Sequence, residues 1–330
     1  MADILTMIKE RELDFDPLFK RMDRDNEFLT QVEYKLLNVM EQPIKDAVNV
    51  TMNDAITYAE HARAIMTGAF MQAVVEGEGL SDKETTLIED FDRDIRWEID
   101  ERLLNREYQG LYPFLIEQVL FRGRIAARYT SREDKDQFIP DLLPIDTRFL
   151  TYEFSPDGLE WVSYQTKRRK AQLVKEYGND IASRIPDGTE AVVRNFFDSK
   201  NEIVFVDDNK IKNTAHPYGV PPFIIQRSGG GTMFQDKESF QHTGESILAP
   251  NRLLWKEISR TASILQTLNM WIIEGGYQYE SKLGGEAEAP DYPAGTRKVV
   301  SVEPGAGFTP IPISDIRNAT RLWWAILMGA

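Results

Sequence analysis

The chain contains no cysteine, which excludes disulfides, thiol nucleophiles and cysteine-ligated metals together and suits synthesis in a reducing cytoplasm. Histidine is scarce. His61, His216 and His242 stand far apart, and none belongs to an H-E-x-x-H or other close ligand pair, so no zinc site is predicted. Apolar runs are short: no window of roughly 18 apolar residues suggests a membrane span. Residues Met1 to Glu10 also lack the basic head and apolar run of a signal peptide. These absences predict a soluble, cytoplasmic chain. Positive charge is in deficit, with 39 Lys and Arg against 53 Asp and Glu and a net charge of -14. Such a surface repels free nucleic acid, so any contact with DNA has to be local or weak.

Catalytic signatures are missing too. Ser228-Gly-Gly-Gly-Thr232 lacks the G-x-x-x-x-G-K-[ST] order of a phosphate-binding loop and reads as a flexible linker. There is no G-x-S-x-G elbow, and no serine has a readable base. The run Asp90, Asp92, Asp94 resembles the start of a calcium loop, but Ile95 occupies the position where that loop needs glycine. The sequence predicts no catalytic residue, no metal and no cofactor. A nuclease would need acidic metal ligands clustered on strand ends, whereas the Asp and Glu here fall mostly on predicted helical faces.

What is present is enough apolar material for a core, 42% of 330 residues. That length allows two or three compact units, or an extended subunit packed against neighbouring copies. The predicted class is α+β and mainly helical. Residues up to about 135 read as helical. Ala59, Ala62, Met66, Ala69 and Ala73 form a stripe at helical spacing, and Ser81 with Glu84 has capping-box spacing ahead of Ile88, Phe91, Ile95, Ile99 and Leu103. Glu89 to Arg93, Asp92 to Arg96 and Glu98 to Arg102 are acid-before-base pairs at i,i+4 on its polar face. From Asp141 the texture turns to strands. A hairpin is predicted about Ser155-Pro156-Asp157-Gly158, a short helix from Lys170 to Tyr177, and a second hairpin across Asp198 to Asn201. His216 to Gly231 reads as a proline turn, a short apolar strand and a glycine stop. A long helix is predicted from Pro250 to Glu274 on the stripe Leu254, Ile258, Ala262, Leu265, Leu268 and Ile272. A polar loop (Tyr277 to Asp291), a small β unit (Arg297 to Val302 and Phe308 to Ile313) and a new helix capped by Ser314 follow.

Four pieces in this order resemble the portal family, the ring at one vertex of a tailed phage capsid. They are Trp161 to Gly178, His216 to Phe223 (HPYGVPPF), Gly244 to Thr267, and the β unit leading to Asp315-Ile316-Arg317-Asn318-Ala319-Thr320. The resemblance implies a wing over residues 1–243 (helical 1–135, α+β 136–243), a first stem helix within 244–274, a clip over 275–313 and the start of a second stem helix over 314–330. Portal chains continue into a tunnel loop, a further helix and often a crown, which the chain ending at Ala330 would lack. The resemblance implies rings of about twelve copies that nucleate capsid growth and pass double-stranded DNA without sequence preference. Implied partners are the terminase large subunit, head-completion or adaptor proteins, and major capsid and scaffold proteins. The implied location is the virion vertex, reached from the host cytoplasm. Leu254, Trp255, Ile258 and Leu265 are candidates for subunit contacts, or alternatively for burial within one subunit. Lys256, Arg260, Arg297, Lys298 and the cluster Lys167, Arg168, Arg169, Lys170 are candidates for facing DNA or docked partners, or alternatively for a solvated face. The alternative function is an acidic virion or scaffold adaptor that binds proteins without enclosing DNA.

Overall fold

The computed structural model describes residues 4–69, 74–75, 77, 79, 81–134, 137–178, 190–234, 236–274, 276–280, 298–302, 318 and 321–325; side chains at 132–137, 271–280 and 298–302 are outside that description. In chain order the helices are α1 (Ile4–Leu29), α2 (Asp54–Thr67), α3 (Asp82–Leu104), α4 (Leu111–Glu117), α5 (Lys170–Tyr177) and α6 (Arg252–Glu274). The strands are β1 (Arg124–Asp134), β2 (Gln137–Pro144), β3 (Leu150–Ser155), β4 (Gly158–Arg169), β5 (Glu190–Phe197), β6 (Asn201–Val206), β7 (Asn209–Ala215), β8 (Phe223–Arg227), β9 (Gly276–Glu280) and β10 (Lys298–Val302). The class is α+β. The chain divides into two units, one formed by Met1–Asn26 with Ala59–Ala249 and the other by Glu27–Tyr58 with Pro250–Ala330.

The first unit holds a five-stranded antiparallel meander in the order β3-β4-β5-β6-β7 and a three-stranded sheet β2-β1-β8. In β4, four consecutive residues from Trp161 to Tyr164 are buried. Val162 and Tyr164 join a cluster with Phe15, Leu18, Phe19 and Met22 of α1, whereas Trp161 joins Ile8, Phe196, Ile203 and Phe205. Successive side chains of a strand point to opposite faces, so β4 is covered on both sides. The predicted first hairpin forms, with Ser155 paired to Gly158 across Pro156-Asp157 and Gly158 at φ 127. α5 ends at Gly178 as predicted, at φ 89.

The prediction of helix to residue 135 is corrected. Strand begins at Arg124, because RIAARYTSRED pairs on both sides, with β2 and β8. Its charged residues obscure the period-2 pattern. β7 was also unforeseen. Val206 pairs with Asn209, and the turn between them puts Asp207 and Asp208 at φ 42 and 70. Two-residue hairpins favour positive φ at both central positions, and Asp tolerates it without the glycine that usually announces such a turn.

α3 starts as the capping-box spacing requires. The Glu84 carboxylate accepts from the Ser81 backbone N–H at 2.8 Å and from its hydroxyl at 2.7 Å. These bonds hold the Glu84 carboxyl below the usual glutamate range, the backbone bond contributing most. A carboxyl depressed in the folded state contributes stability above its unfolded pKa and loses it as pH falls through the folded value. Helicity at the start of α3 is therefore expected to fall on acidification below about pH 4, and Glu84→Gln to remove that step; amide exchange of residues 81–86 checks it. Two of the predicted i,i+4 pairs form, Asp92–Arg96 at 2.9 Å and Glu98–Arg102 at 2.5 Å. The third does not: Arg93 pairs with Asp90 at 2.9 Å, and Glu89 accepts the Val75 N–H at 3.0 Å.

In the second unit, an extended strap at 48–52 lies along α6. The N–H groups of Val48, Val50 and Met52 donate to the hydroxyls of Thr267, Ser263 and Ser259 at 3.0, 2.9 and 3.3 Å. The spacing is commensurate. Four residues of helix rise about 6 Å, close to the roughly 6.6 Å of two strand residues. On its other side the strap offers the Asn49 and Thr51 side chains to the N–H groups of Leu36 and Tyr34 at 2.9 and 2.8 Å. Ser263 is fully buried. Ser263→Ala removes the acceptor of the half-buried Val50 N–H and is expected to cost about 1–3 kcal/mol, read from the urea midpoint. The long predicted helix begins at Arg252 rather than Pro250, since residues Ala249–Asn251 form a 3-10 turn. Part of the predicted polar loop is strand: β9 pairs parallel with β10. Residues 281–297 and 303–317, which contain the predicted second extended piece and Ser314 cap, lie outside the described residues. Residues 318 and 321–325 are helical, as predicted.

Candidate functional site

Three regions carry features that folding alone does not require. The first is a knot of buried charge. Arg21 and Asp25 on α1 are 2% and 0% exposed, and Arg124 on β1 is 2% exposed. Arg21 donates to Glu245 Oε2 at 2.9 Å and to the carbonyls of Gly244 and Arg122 at 3.0 and 3.3 Å. Ser246 donates to Asp25 Oδ2 at 2.7 Å, and Glu245 Oε1 lies 2.6 Å from His242 Nδ1. Arg124 binds the Thr243 carbonyl at 2.9 Å, the Thr243 hydroxyl and the Tyr152 hydroxyl at 2.6 Å. Burial pushes the Arg124 guanidinium below its ordinary range, with the Tyr152 oxygen opposing and Arg21 and Arg227 reinforcing the shift. Arginine keeps its proton in proteins nonetheless. Ser246 is bonded to the Asp25 carboxylate and not to the imidazole, which instead meets Glu245, so this cluster lacks the hydroxyl–imidazole contact of a Ser–His pair. What it does is clamp the 242–246 loop, the last turn of chain before the approach to α6.

The glycines expected to form a flexible linker belong to this clamp, which corrects that reading. Gly231, at φ 86, bridges to Thr243, and a Cβ on it would stand 1.9 Å from the His242 carbonyl oxygen. Ser228 N–H donates to the Gly123 carbonyl at 2.9 Å, and Glu245 N–H to the Gly230 carbonyl at 3.1 Å. Gly123 and Gly244 approach so closely that a Cβ on either would lie 2.1 or 2.5 Å from the other's oxygen. Here glycine serves close packing of backbones. Thr243-Gly244-Glu245-Ser246 was legible as a lead into the long helix, but its buried partners on α1 lie more than 200 residues away in sequence and left no local signal.

The second region is the face of α3. Its stripe continues from the buried Leu103 and Ile99 into exposed residues: Leu87, Ile88 and Phe91 are 70%, 42% and 59% exposed. The third is the cleft of the second unit. Val50, Met52, Ala262, Leu265, Arg321 and Trp324 are among the residues lining about 330 Å³, so the returning helix at 321–325 lies beside α6.

The sequence-predicted residues divide. Ile258 is 3% exposed and is buried within its own subunit, which removes it as a contact for another copy. Leu254 and Trp255 are half-buried; Trp255 faces Tyr58 with ring centroids 6.1 Å apart. Leu265 is half-buried in the cleft. Leu253, which the periodicity did not single out, is 85% exposed. Lys256 and Arg260 are exposed on α6, Arg260 reaching Glu257 at 3.5 Å. The basic cluster splits by strand alternation: Lys167 and Arg169 are exposed, Lys170 is half-buried at the start of α5, and Arg168 is ion-paired to Glu176. Burial works against the charge of Arg168, but the Glu176 carboxylate outweighs it and lifts the pKa. Lys298 opens β10, with its side chain outside the description, and Arg297 lies outside the described residues. Among the described residues no group of three or more His, Asp or Glu is placed to hold a metal, and no helix is long and apolar enough to cross a membrane. No protein-family model matches the chain, and no curated protein matches it in sequence.

Proposed function

We propose that the chain is a ring-forming subunit of the portal type, whose copies enclose a channel for double-stranded DNA at one capsid vertex and dock the terminase and head-completion proteins. The observation that carries this reading is the cleft shared by α6 and the helix at 321–325: two rods that flank the β9–β10 segment in sequence are neighbours in space, as paired stem helices around a clip would be. The exposed stripe on α3 and the 85%-exposed Leu253 add support, because apolar surface of this kind is retained where another chain covers it. The net charge of -14 fits a wall along which DNA slides, since phosphate contacts by clustered cations would hold it in place.

Native mass spectrometry over a range of protein concentrations tests the reading. A discrete species of about twelve copies is the expected result. A monomer or dimer at every concentration overturns it and favours the acidic adaptor.

A further inference from the structure

The second unit carries two features that answer one another. Residues 37–43 form a tight loop closed by a bridge between Leu37 and Pro43. The Asn38 side-chain oxygen accepts from the N–H groups of Met40 and Gln42 at 2.9 and 3.0 Å, and Asn38 N–H donates to the Gln42 carbonyl at 2.8 Å. The loop is therefore ordered before any partner arrives. At its tip Val39 is 102% and Met40 79% exposed. Glu41 follows at φ 58, a left-handed conformation that non-glycine residues adopt at a cost. A rigid turn that holds two apolar side chains in water, through a strained residue, has no role in the core of its own chain. Such strain concentrates where a segment contacts something else.

The complementary feature is the cleft described above. Its apolar wall comprises Val50 and Met52 of the strap, Ala262 and Leu265 of α6, and Trp324. Its polar lining includes Arg321, which is exposed. At about 330 Å³ it lies near the lower end of sites that take small apolar groups. Neither Glu41 nor Arg321 has an ion-pair partner among the described residues.

We infer that the 37–43 tip of one copy inserts Val39 and Met40 into this cleft on the next copy, with Glu41 meeting Arg321. Apolar meets apolar, and a carboxylate meets a guanidinium, neither of them ion-paired among the described residues. The occupant is a second copy of this chain because both halves of the contact are on the same chain. Each copy offers its tip to one neighbour and its cleft to the other. A contact of this heterologous kind closes into a ring when its rotation allows. The inference rests on the ring reading and names the contact that would build it. Pre-ordering of the tip lowers the entropy lost on docking.

The chain's lack of cysteine makes the test clean. Met40→Cys is combined with Gln266→Cys, the latter also in the cleft lining, and the protein is oxidised and run on a denaturing gel. A ladder of covalent oligomers is expected from the double variant and from neither single variant. Val39→Asp with Met40→Asp is expected to weaken self-association by about tenfold or more. At concentrations where both proteins are monomeric its melting temperature should equal the wild type's, since both side chains are in water in the single chain. Glu41→Arg is expected to weaken association by a similar factor and Arg321→Glu to restore it. If the wild-type chain forms rings and the Asp variant forms them equally well, or if the double cysteine variant stays monomeric while the wild type assembles, the tip-in-cleft contact is overturned and the ring reading stands. If the wild type forms no rings, both fall.

Discussion

Replacing Gly123 by alanine is expected to destabilise the first unit by about 2–4 kcal/mol. Two effects add. Gly123 is at φ 72, where a Cβ is strained against its own backbone, and that Cβ would lie 2.1 Å from the Gly244 carbonyl oxygen and 2.6 Å from the carbonyl carbon of Glu245. Neither neighbour can step aside, because both are main chain and the 242–246 loop is pinned by Arg21, Arg124 and Gly230. Gly219 separates the two effects: it has nearly the same φ, 71, with nothing within 4 Å of the added carbon. Gly219→Ala should therefore show only the conformational cost, about 1 kcal/mol. Chemical denaturation of both variants measures the difference. Equal costs would mean that the Gly123–Gly244 approach is not a close contact in solution.

The second large effect is expected from Arg21→Met, about 3–5 kcal/mol, the range for breaking a buried ion pair from one side. The substitution keeps much of the apolar stem but leaves the Glu245 carboxylate, 9% exposed, and the fully buried Asp25 without their shared cation. It also strands the Gly244 and Arg122 carbonyls. Adding Glu245→Met should return part of the loss, because it removes one of the two carboxylates that shared the lost guanidinium. A double-mutant cycle on urea midpoints gives the coupling directly. Additive losses would show that Arg21 and Glu245 act independently.

How much of this was legible follows from where each signal lay. The hairpin at Pro156-Asp157, the α5 stop at Gly178 and the α3 start at Ser81 were readable because each is written within four residues by a turn or cap residue. α6 was readable from a stripe sustained over about five turns, from Leu254 to Ile272. The β1 strand was not, because its residues are charged or small and its pairing partners, β2 and β8, are set by tertiary contact. β7 was missed because its turn uses Asp207 and Asp208 in place of glycine. The clamp around 242–246 depends on contacts to α1 and β1, so the glycines at 229–231 looked like a linker. The strap was hidden for a similar reason: the hydroxyls of Ser259, Ser263 and Thr267 break up an apolar face, and their partners are backbone groups with no residue type to reveal them. Ile258 illustrates a limit of periodicity. Its position on the stripe said that it would be buried, but the covering surface turned out to be its own chain.

The most direct test of the central claim is single-particle electron microscopy of the purified chain. A ring subunit predicts closed particles with rotational symmetry, α6 against an open central channel wide enough for a DNA duplex. Isolated single copies, or assemblies that close without a channel, would contradict it.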